Sequence, residues 1–556
     1  MKKIFEKHGI LRCIGALMDI VAFILFIIAA FVDATTADMI LKVIGMILFV
    51  VGGMFIAFTS KEHHLVKSLI VFLIAGVLLT WLFPYGYFQG SDFYEYDMAR
   101  VGLADFGFAI YYAINFVMDK IVFLLAIAGF YGVLSKVSGY QKLVEQIANK
   151  AKDHKVAMTL ITSIILFVIT SLFTQTFAVI VFIPFFISIL SKMGMDKLTT
   201  FAATFGSALV GILGCTYGTD SLTVFNYYLG KELSTSLTYR FIVAAVALVL
   251  YNFFLVMRVR KVDKESKKNT KNVNVENDPF AVESPKGKDK VKTLPIIIVL
   301  IILALITILG YINWNGNFKI EAFNKFHEWL IGLEAGEGFT IFSYILGSKA
   351  DALGAFKYVF SISVVLLLAS ALIAFLYKMS INEYIESFYE GTKKMFKPLL
   401  FIIGSYIMFG ICYLTPVMPT IANWILNLVK GFNPYLTSIV AFITSLFQND
   451  LGYTAYTVGG FLTSAYADNV SIAHTIFTSM YGLVQIFMPT SALLVAGLSL
   501  MKVDYKEWFK YIWLFVVGMI IILLVLFTVL TYISEFQKNS FFIFIILLLI
   551  VINKKL

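Results

Sequence analysis

Hydrophobic residues along this chain come in long unbroken runs, not in the alternation of half-buried strands or the three-and-four spacing of soluble amphipathic helices. Runs near Ile14–Phe31, Ile40–Phe58, Ser68–Phe83, Ile121–Ser135, Phe241–Met257, Pro295–Tyr311, Tyr358–Leu376, Pro398–Leu414 and Tyr511–Leu530 stand out. Each meets or approaches the roughly 20 residues that carry a helix across a hydrocarbon core about 30 Å thick. A bilayer core offers backbone groups no water, so each run predicts a spanning helix. Two further regions, Val156–Tyr228 and Tyr435–Leu500, are apolar but broken by Gly, Pro, Ser, Thr, Asn, Gln and Asp. They are too long and too interrupted for simple spans.

Lys and Arg in the short connections orient the runs, because cytoplasmic loops carry the positive excess. The N-terminus, Lys61–Lys67, Lys136–Lys155, Arg258–Lys292, Lys378–Lys397 and Lys502–Lys510 are basic and predict the cytoplasmic side. Pro84–Met118 carries Asp92, Glu95, Asp97 and Asp105 against the single Arg100, and Asn313–Ala355 has an acidic excess; both are expected outside. These sides agree only if Val156–Lys192 leaves and returns on the cytoplasmic side, turning near Thr174. By the same reasoning Tyr435–Ser464 leaves and returns outside, turning near Gln448. Each is then a re-entrant hairpin followed by an interrupted span. The first span is Leu198–Tyr228, through Gly211, Gly214, Gly218 and Thr219. The second is Ile472–Leu500, through Gln485, Pro489, Thr490 and Ser491.

A repeat supports the pairing independently of hydropathy. Ile169-Thr170-Ser171-Leu172-Phe173 recurs as Ile443-Thr444-Ser445-Leu446-Phe447, an offset of 274. At the same offset Thr204 falls on Thr478, Leu209 on Leu483, Val210 on Val484, Ile212 on Ile486 and Thr216 on Thr490. With opposite opening sides, the two units form an inverted-topology repeat.

Composition sharpens the class. Of 556 residues, 60% are apolar and 14% charged, with a mean hydropathy of +0.87, whereas soluble domains are about a quarter charged. This excludes a soluble enzyme on a single anchor and a disordered chain. The net charge of +10 reflects loops: eleven Lys or Arg lie between Arg258 and Lys292, so no nucleic-acid partner is expected. Cys13, Cys215 and Cys412 have spacings of neither a metal site nor a disulfide framework and read as free thiols. The run after Met1-Lys2-Lys3 reaches past Phe31 without a small-residue cleavage site and reads as a retained span.

Candidate chemistry follows from the breaks. Polar backbone at membrane depth is tolerated only where it lines a cavity or is buried in protein, so the breaks point to a binding site. Four should converge: Thr174-Gln175-Thr176; Thr216 through Asp220, with Gly214, Thr216, Gly218 and Thr219 as its site candidates; Gln448-Asn449-Asp450; and Pro489-Thr490-Ser491. Half-helix N-termini offer free N–H groups to an anion, while hydroxyl, amide and carbonyl oxygens ligate a cation. Asp220 and Asp450 are the acids in these breaks, and a carboxylate at membrane depth is normally paired with a cation or proton. A Na+ site near Thr174, Asn449 and Asp450 is the expectation, with no other cofactor. His474 reads as a packed histidine and His63-His64 as an exposed turn. The chain lacks His-Glu-x-x-His, a phosphate-cradling loop and Cys-x-x-Cys. Tyr96-Asp97 has no Gly-x-Gly-Asp companion of the kind an intramembrane aspartyl protease needs, so the enzyme reading has no motif behind it.

Several segments carry a family resemblance. Met488-Pro489-Thr490-Ser491-Ala492 and the later Val503-Asp504-Tyr505-Lys506-Glu507-Trp508-Phe509-Lys510 look like a Pro-Thr-Ser break and its basic-aromatic turn. Gly129-Phe130-Tyr131-Gly132-Val133, Leu82-Phe83-Pro84-Tyr85-Gly86 and Glu390-Gly391 through Lys397-Pro398 add to it. Over about Leu65 to Tyr532 the chain resembles the anaerobic C4-dicarboxylate carrier family, especially its YfcC-like branch, within the ion transporter superfamily. The resemblance implies an ion-driven secondary carrier of carboxylates, amino acids or related small anions, moving as an elevator. It does not name the substrate. The tips depart from the family's Gly- and Ser-rich pattern, being Thr174-Gln175-Thr176 and Gln448-Asn449-Asp450 here.

The expected fold is an all-α polytopic membrane protein built from two inverted-topology repeats with re-entrant hairpins and discontinuous helices. Its units are a two-span extension (1–63), a first repeat (64–257), a linker with a linking span and outer loop (258–357), a second repeat (358–533) and an apolar tail (534–556). The expected function is cation-coupled (Na+ or H+) uptake of a small carboxylate such as a C4-dicarboxylate. An amino-acid transporter or exchanger, such as an arginine/ornithine type, is the alternative. The expected setting is the cell membrane, with the N-terminus cytoplasmic, the bilayer and substrate as partners, and room for a homodimer.

Overall fold

The computed structural model describes residues 9–32, 36–97, 99–218, 220–232, 234–268, 278–280, 282, 292–336, 338–347 and 349–553. The N-terminal extension forms α1 (Ile10–Ala29) and α2 (Thr36–Thr59). Then come α3 (His64–Leu82), an antiparallel pair β1 (Gly86–Gln89) and β2 (Asp92–Glu95) with Gly86 opposite Glu95, α4 (Leu103–Lys136) and α5 (Ser138–Ala151). Among the described residues nine helices are long and apolar enough to cross a membrane, and the chain is an all-α polytopic membrane protein. One run differs from expectation: α4 begins at Leu103, not near Ile121, so its first half comes from a segment read as outer loop. The polar residues Asp105, Asn115, Asp119 and Lys120 lower that segment's hydropathy, but Asp105 caps the helix start, Asn115 bonds its own helix backbone and Asp119 pairs with Lys120.

The first broken region folds as α6 (Lys155–Leu172), a turn of 3-10 helix at Thr176–Val181, α7 (Ile183–Lys192) and α8 (Lys197–Leu213). There follow α9 (Asp220–Tyr228), α10 (Leu237–Lys268), α11 (Leu294–Tyr311), α12 (Phe360–Leu376), α13 (Ile381–Lys393), α14 (Phe396–Leu414) and α15 (Met418–Leu426). The second broken region is α16 (Pro434–Gln448), α17 (Leu451–Ser464), α18 (Val470–Gln485) and α19 (Ala492–Met501). The last helix, α20, runs from Tyr505 to Asn553, and its part Tyr505–Ile533 is long and apolar enough to cross a membrane.

Ion pairs and ring contacts fix where each helical hairpin opens. Lys155, at the start of α6, reaches Asp263 at 3.3 Å, and Asp196, just past α7, reaches Arg258 at 2.6 Å. Both partners lie in the same stretch of α10, so the two ends of α6–α7 sit together at the end of the bundle carrying the basic loops. The other hairpin opens elsewhere: Phe432, ahead of α16, packs on Tyr466, beyond α17, with centroids 5.0 Å apart. Helix α20 measures the separation. Arg258 lies over the Tyr511 ring, while Tyr435 accepts a 2.8 Å hydrogen bond from Thr528. Seventeen residues at 1.5 Å each put the two openings about 25 Å apart along that helix.

Close backbone contact joins the two broken regions. A Cβ on Gly482 of α18 would run into the backbone of Leu213 at the end of α8, so glycine is what lets these helices cross. At the basic end, His64 is mostly buried and its Nδ1 lies 2.7 Å from Asp504, tying α3 to the start of α20. That differs from the exposed turn its sequence suggested. Part of the linker also docks there. Phe280 and Val282 are buried, the Phe280 ring packs on Tyr131 of α4 at 5.6 Å, and Lys394 lies over it at 5.4 Å. Asp278 accepts from the Phe280 and Val282 N–H groups.

Candidate functional site

The α16–α17 tip is organised by one side chain. Asn449 takes a left-handed conformation (φ 50°), which Asn tolerates better than most residues. Its Nδ2 donates to the Thr490 carbonyl, and its Oδ1 accepts from Gln485 Nε2 at 2.9 Å. The tip is thereby bonded to both sides of the break between α18 and α19. Asp450 is the N-cap of α17 and accepts from the Tyr453 N–H at 2.6 Å. Gln448 turns inward, its Oε1 accepting from Thr454 at 2.8 Å and its Nε2 donating to Thr457 at 3.3 Å.

The α6–α7 tip is held by other means. The Thr174 N–H and hydroxyl both donate to the Tyr311 carbonyl, at 2.9 and 3.1 Å, and Gln175 Nε2 donates to the Lys357 carbonyl at 2.5 Å. This tip therefore reaches the last residue of α11. Behind it Ser171 clasps the first break: its hydroxyl donates to the Gly214 carbonyl at 2.7 Å and lies 2.9 Å from Thr216 Oγ1, and its carbonyl accepts from the Thr216 and Gly218 N–H groups. A side chain on Gly218 would collide with the Leu172–Phe173 backbone, so the clasp needs glycine there. The counterpart is looser, Thr490 Oγ1 donating to the Leu446 carbonyl at 3.3 Å. Both repeat-matched threonines thus spend their hydroxyls holding a tip to a break.

A cavity of about 1420 Å³ lies between the tips. Of the residues singled out from sequence, Gln175, Thr176, Asn449 and Asp450 line it. Thr174, Gly214, Thr216, Gly218, Gln448, Pro489, Thr490 and Ser491 stand behind its wall, where the bonds above hold the lining in place. Thr219 lies outside the described residues. At the second break the cavity touches Ala492 and Leu493, in the first turn of α19, where N–H groups have no helical acceptor. Ser491, the N-cap, is fully buried with its hydroxyl unpartnered among the described residues.

Several lining residues were not singled out from the sequence. Asp119 and Lys120 of α4 form an ion pair at 3.2 Å on the cavity wall. Tyr406, Phe409 and Tyr413 of α14, Tyr453 and Tyr456 of α17, and Tyr481 of α18 also contribute. The signal for the charged pair was present: apolar sequence continues on both sides of it from Leu103 to Lys136. The tyrosines carry no such signal, being ordinary in apolar helices. Tyr358, Phe360, Pro416 and Tyr228 place one margin of the cavity at the end of the bundle away from the basic loops. Among the described residues, no group of three or more His, Cys, Asp or Glu side chains could hold a metal ion. His474 is fully buried with Nε2 2.7 Å from Asn226 Oδ1, a packed position. Cys13, Cys215 and Cys412 are unbridged.

A family model described as C4-dicarboxylate anaerobic carrier matches residues 68–533. No curated protein matches the sequence. Among solved structures the chain is similar to the YdaH transporter of Alcanivorax borkumensis, at 11% identity over 84% of this chain and 98% of that one, TM-score 0.36. It is also similar to MtrF of Neisseria gonorrhoeae, described with a class of antimetabolite efflux pumps, at 13% identity over 84% of this chain and 95% of that one, TM-score 0.31.

Proposed function

The chain belongs to the C4-dicarboxylate anaerobic carrier family and is a multi-pass membrane transporter, and from that premise we propose that it takes up a small carboxylate, such as a C4-dicarboxylate, with a coupling cation. The observation that carries this reading is the cavity walled by both hairpin tips and by residues flanking both helix breaks, Ile212 and Ser221 at the first and Gln485 and Ala492 at the second. Each ligand type has a suited wall. A carboxylate fits the first turn of α19, where the Ala492 and Leu493 N–H groups face the cavity without helical acceptors. A Na+ ion or proton fits the Asp450 carboxylate beside the Asn449 amide, whose oxygens are hard donors. Thr174 lies with its hydroxyl turned to Tyr311, so it is a support in this reading and not a ligand.

Hairpins opening about 25 Å apart, with tips on one cavity, suit an inverted repeat in which one unit rocks or slides against the other. The basic end is taken as cytoplasmic. A single cysteine at Ser91 should then label from outside intact cells and one at Lys152 should not; the reverse pattern would invert the orientation. An amino-acid substrate is the second reading, favoured by the eleven Phe and Tyr side chains around the cavity, which suit an ammonium group. A heat-stability screen of purified protein with dicarboxylates and amino acids, each with and without Na+, separates the two, since ligands of the native state raise its stability by mass action. Stabilisation by dicarboxylates with Na+ or at low pH supports the first reading. Stabilisation by amino acids alone overturns it.

A further inference from the structure

We propose that Asp119 and Lys120 form an exchangeable ion pair through which carboxylate and cation binding are coupled; this rests on the carrier reading and deepens it. The pair sits at the midpoint of α4, about 25 Å from Leu103, with side-chain exposures of only 20% and 11%. Charged groups at such depth are costly unless paired. This pairing is an awkward one. Adjacent residues diverge by about 100° around a helix and are not natural partners, and the positions three and four away, Asn115, Phe116, Val117, Val122, Phe123 and Leu124, carry no charge. Lys120 Nζ also lies 5.9 Å from the centre of the Phe177 ring, beside the α6–α7 tip.

Among the described residues that line the cavity, Asp119, Lys120 and Asp450 are the charged ones. Lys120 is thus the single lining cation among the described residues, and an entering carboxylate competes with Asp119 for its charge. A carboxylate alone would leave Asp119 uncompensated in a low-dielectric site, and a cation alone would leave Lys120 so. Together they split the pair without stranding either charge: Lys120 takes the carboxylate, and Asp119 takes a cation in addition to any held at Asp450. By linkage, each ligand then strengthens the other equally.

The test measures succinate affinity of the purified protein as a function of Na+ at fixed pH and of pH at fixed Na+. The slopes of log affinity against log cation concentration give the number of cations taken up with succinate. In Asp119→Asn the summed slope should fall by about one, because the displaced carboxylate is no longer there to be neutralised. Lys120→Gln should weaken succinate binding at least thirtyfold, and Lys120→Arg should restore most of it. Heat-unfolding midpoints show that each variant is folded, and the double variant Asp119→Asn/Lys120→Gln, which strands no charge, provides a folded uncharged control. An unchanged slope in Asp119→Asn, or wild-type succinate affinity in Lys120→Gln, overturns the proposal while leaving the carrier reading intact. Folded wild-type protein that binds no carboxylate overturns both.

Discussion

Replacing Asn449 by Ala tests the clamp that holds the α16–α17 tip against the break between α18 and α19. The change removes two buried hydrogen bonds and strands the Gln485 amide and the Thr490 carbonyl, at about 1–3 kcal/mol for each orphaned group. Ala is also poorly suited to the left-handed backbone at this position, by about 1–2 kcal/mol. Relaxation returns part of this, so tip opening should become easier by about 3 kcal/mol, which raises amide exchange by on the order of a hundredfold. Asn449→Gly loses the same bonds but not the backbone strain. Allowing about 0.5–1 kcal/mol for glycine's own freedom, it should exchange roughly threefold more slowly than Asn449→Ala. The assay is hydrogen–deuterium exchange of a peptide covering Leu446–Thr454 in purified protein. Wild-type exchange in Asn449→Ala would refute the clamp, and equal exchange in the two variants would refute the part assigned to the backbone.

Asp450→Asn should preserve the α17 cap, because Asn and Asp cap equally well, while abolishing cation-driven uptake at unchanged membrane abundance; uptake at the wild-type rate would remove Asp450 from the coupling site. Gly482→Ala should cost about 1–3 kcal/mol by overpacking against Leu213, seen as a lower unfolding midpoint, and an unchanged midpoint would mean the helices part without penalty. Burial raises the Asp278 carboxyl above its ordinary value, against the pull of the Phe280 N–H. A raised folded-state value means docking is fully present below the ordinary carboxylate range and weakens as pH rises through the raised one. Exchange of the Phe280 amide relative to an unstructured peptide should therefore rise with pH in the wild type but not in Asp278→Asn, and parallel profiles would contradict this.

The spans were legible because a bilayer forces long apolar runs into helices, and the hairpins because Lys and Arg positions left no other consistent path for Val156–Lys192 and Tyr435–Ser464. Gln175, Thr176, Asn449 and Asp450 were legible because polar breaks in apolar sequence have few tolerable places to go. The division of labour among the breaks was not. Thr216 and Thr490 matched across the repeat, but hydroxyl direction depends on which carbonyl is nearest, and Ser171 and Leu446 supply those carbonyls from distant sequence. Lys120 was hidden for a related reason: averaged hydropathy starts a span after a charged pair, whereas α4 passes through it because the cavity accommodates both charges.

Reconstituted into liposomes, the purified protein should accumulate labelled succinate when a Na+ or proton gradient is imposed, and the accumulation should be lost in Asp450→Asn. That single uptake measurement bears most directly on the claim that the cavity between the two tips carries a carboxylate with a cation. Folded protein that moves no carboxylate under either gradient, or that moves succinate equally well without Asp450, would contradict it.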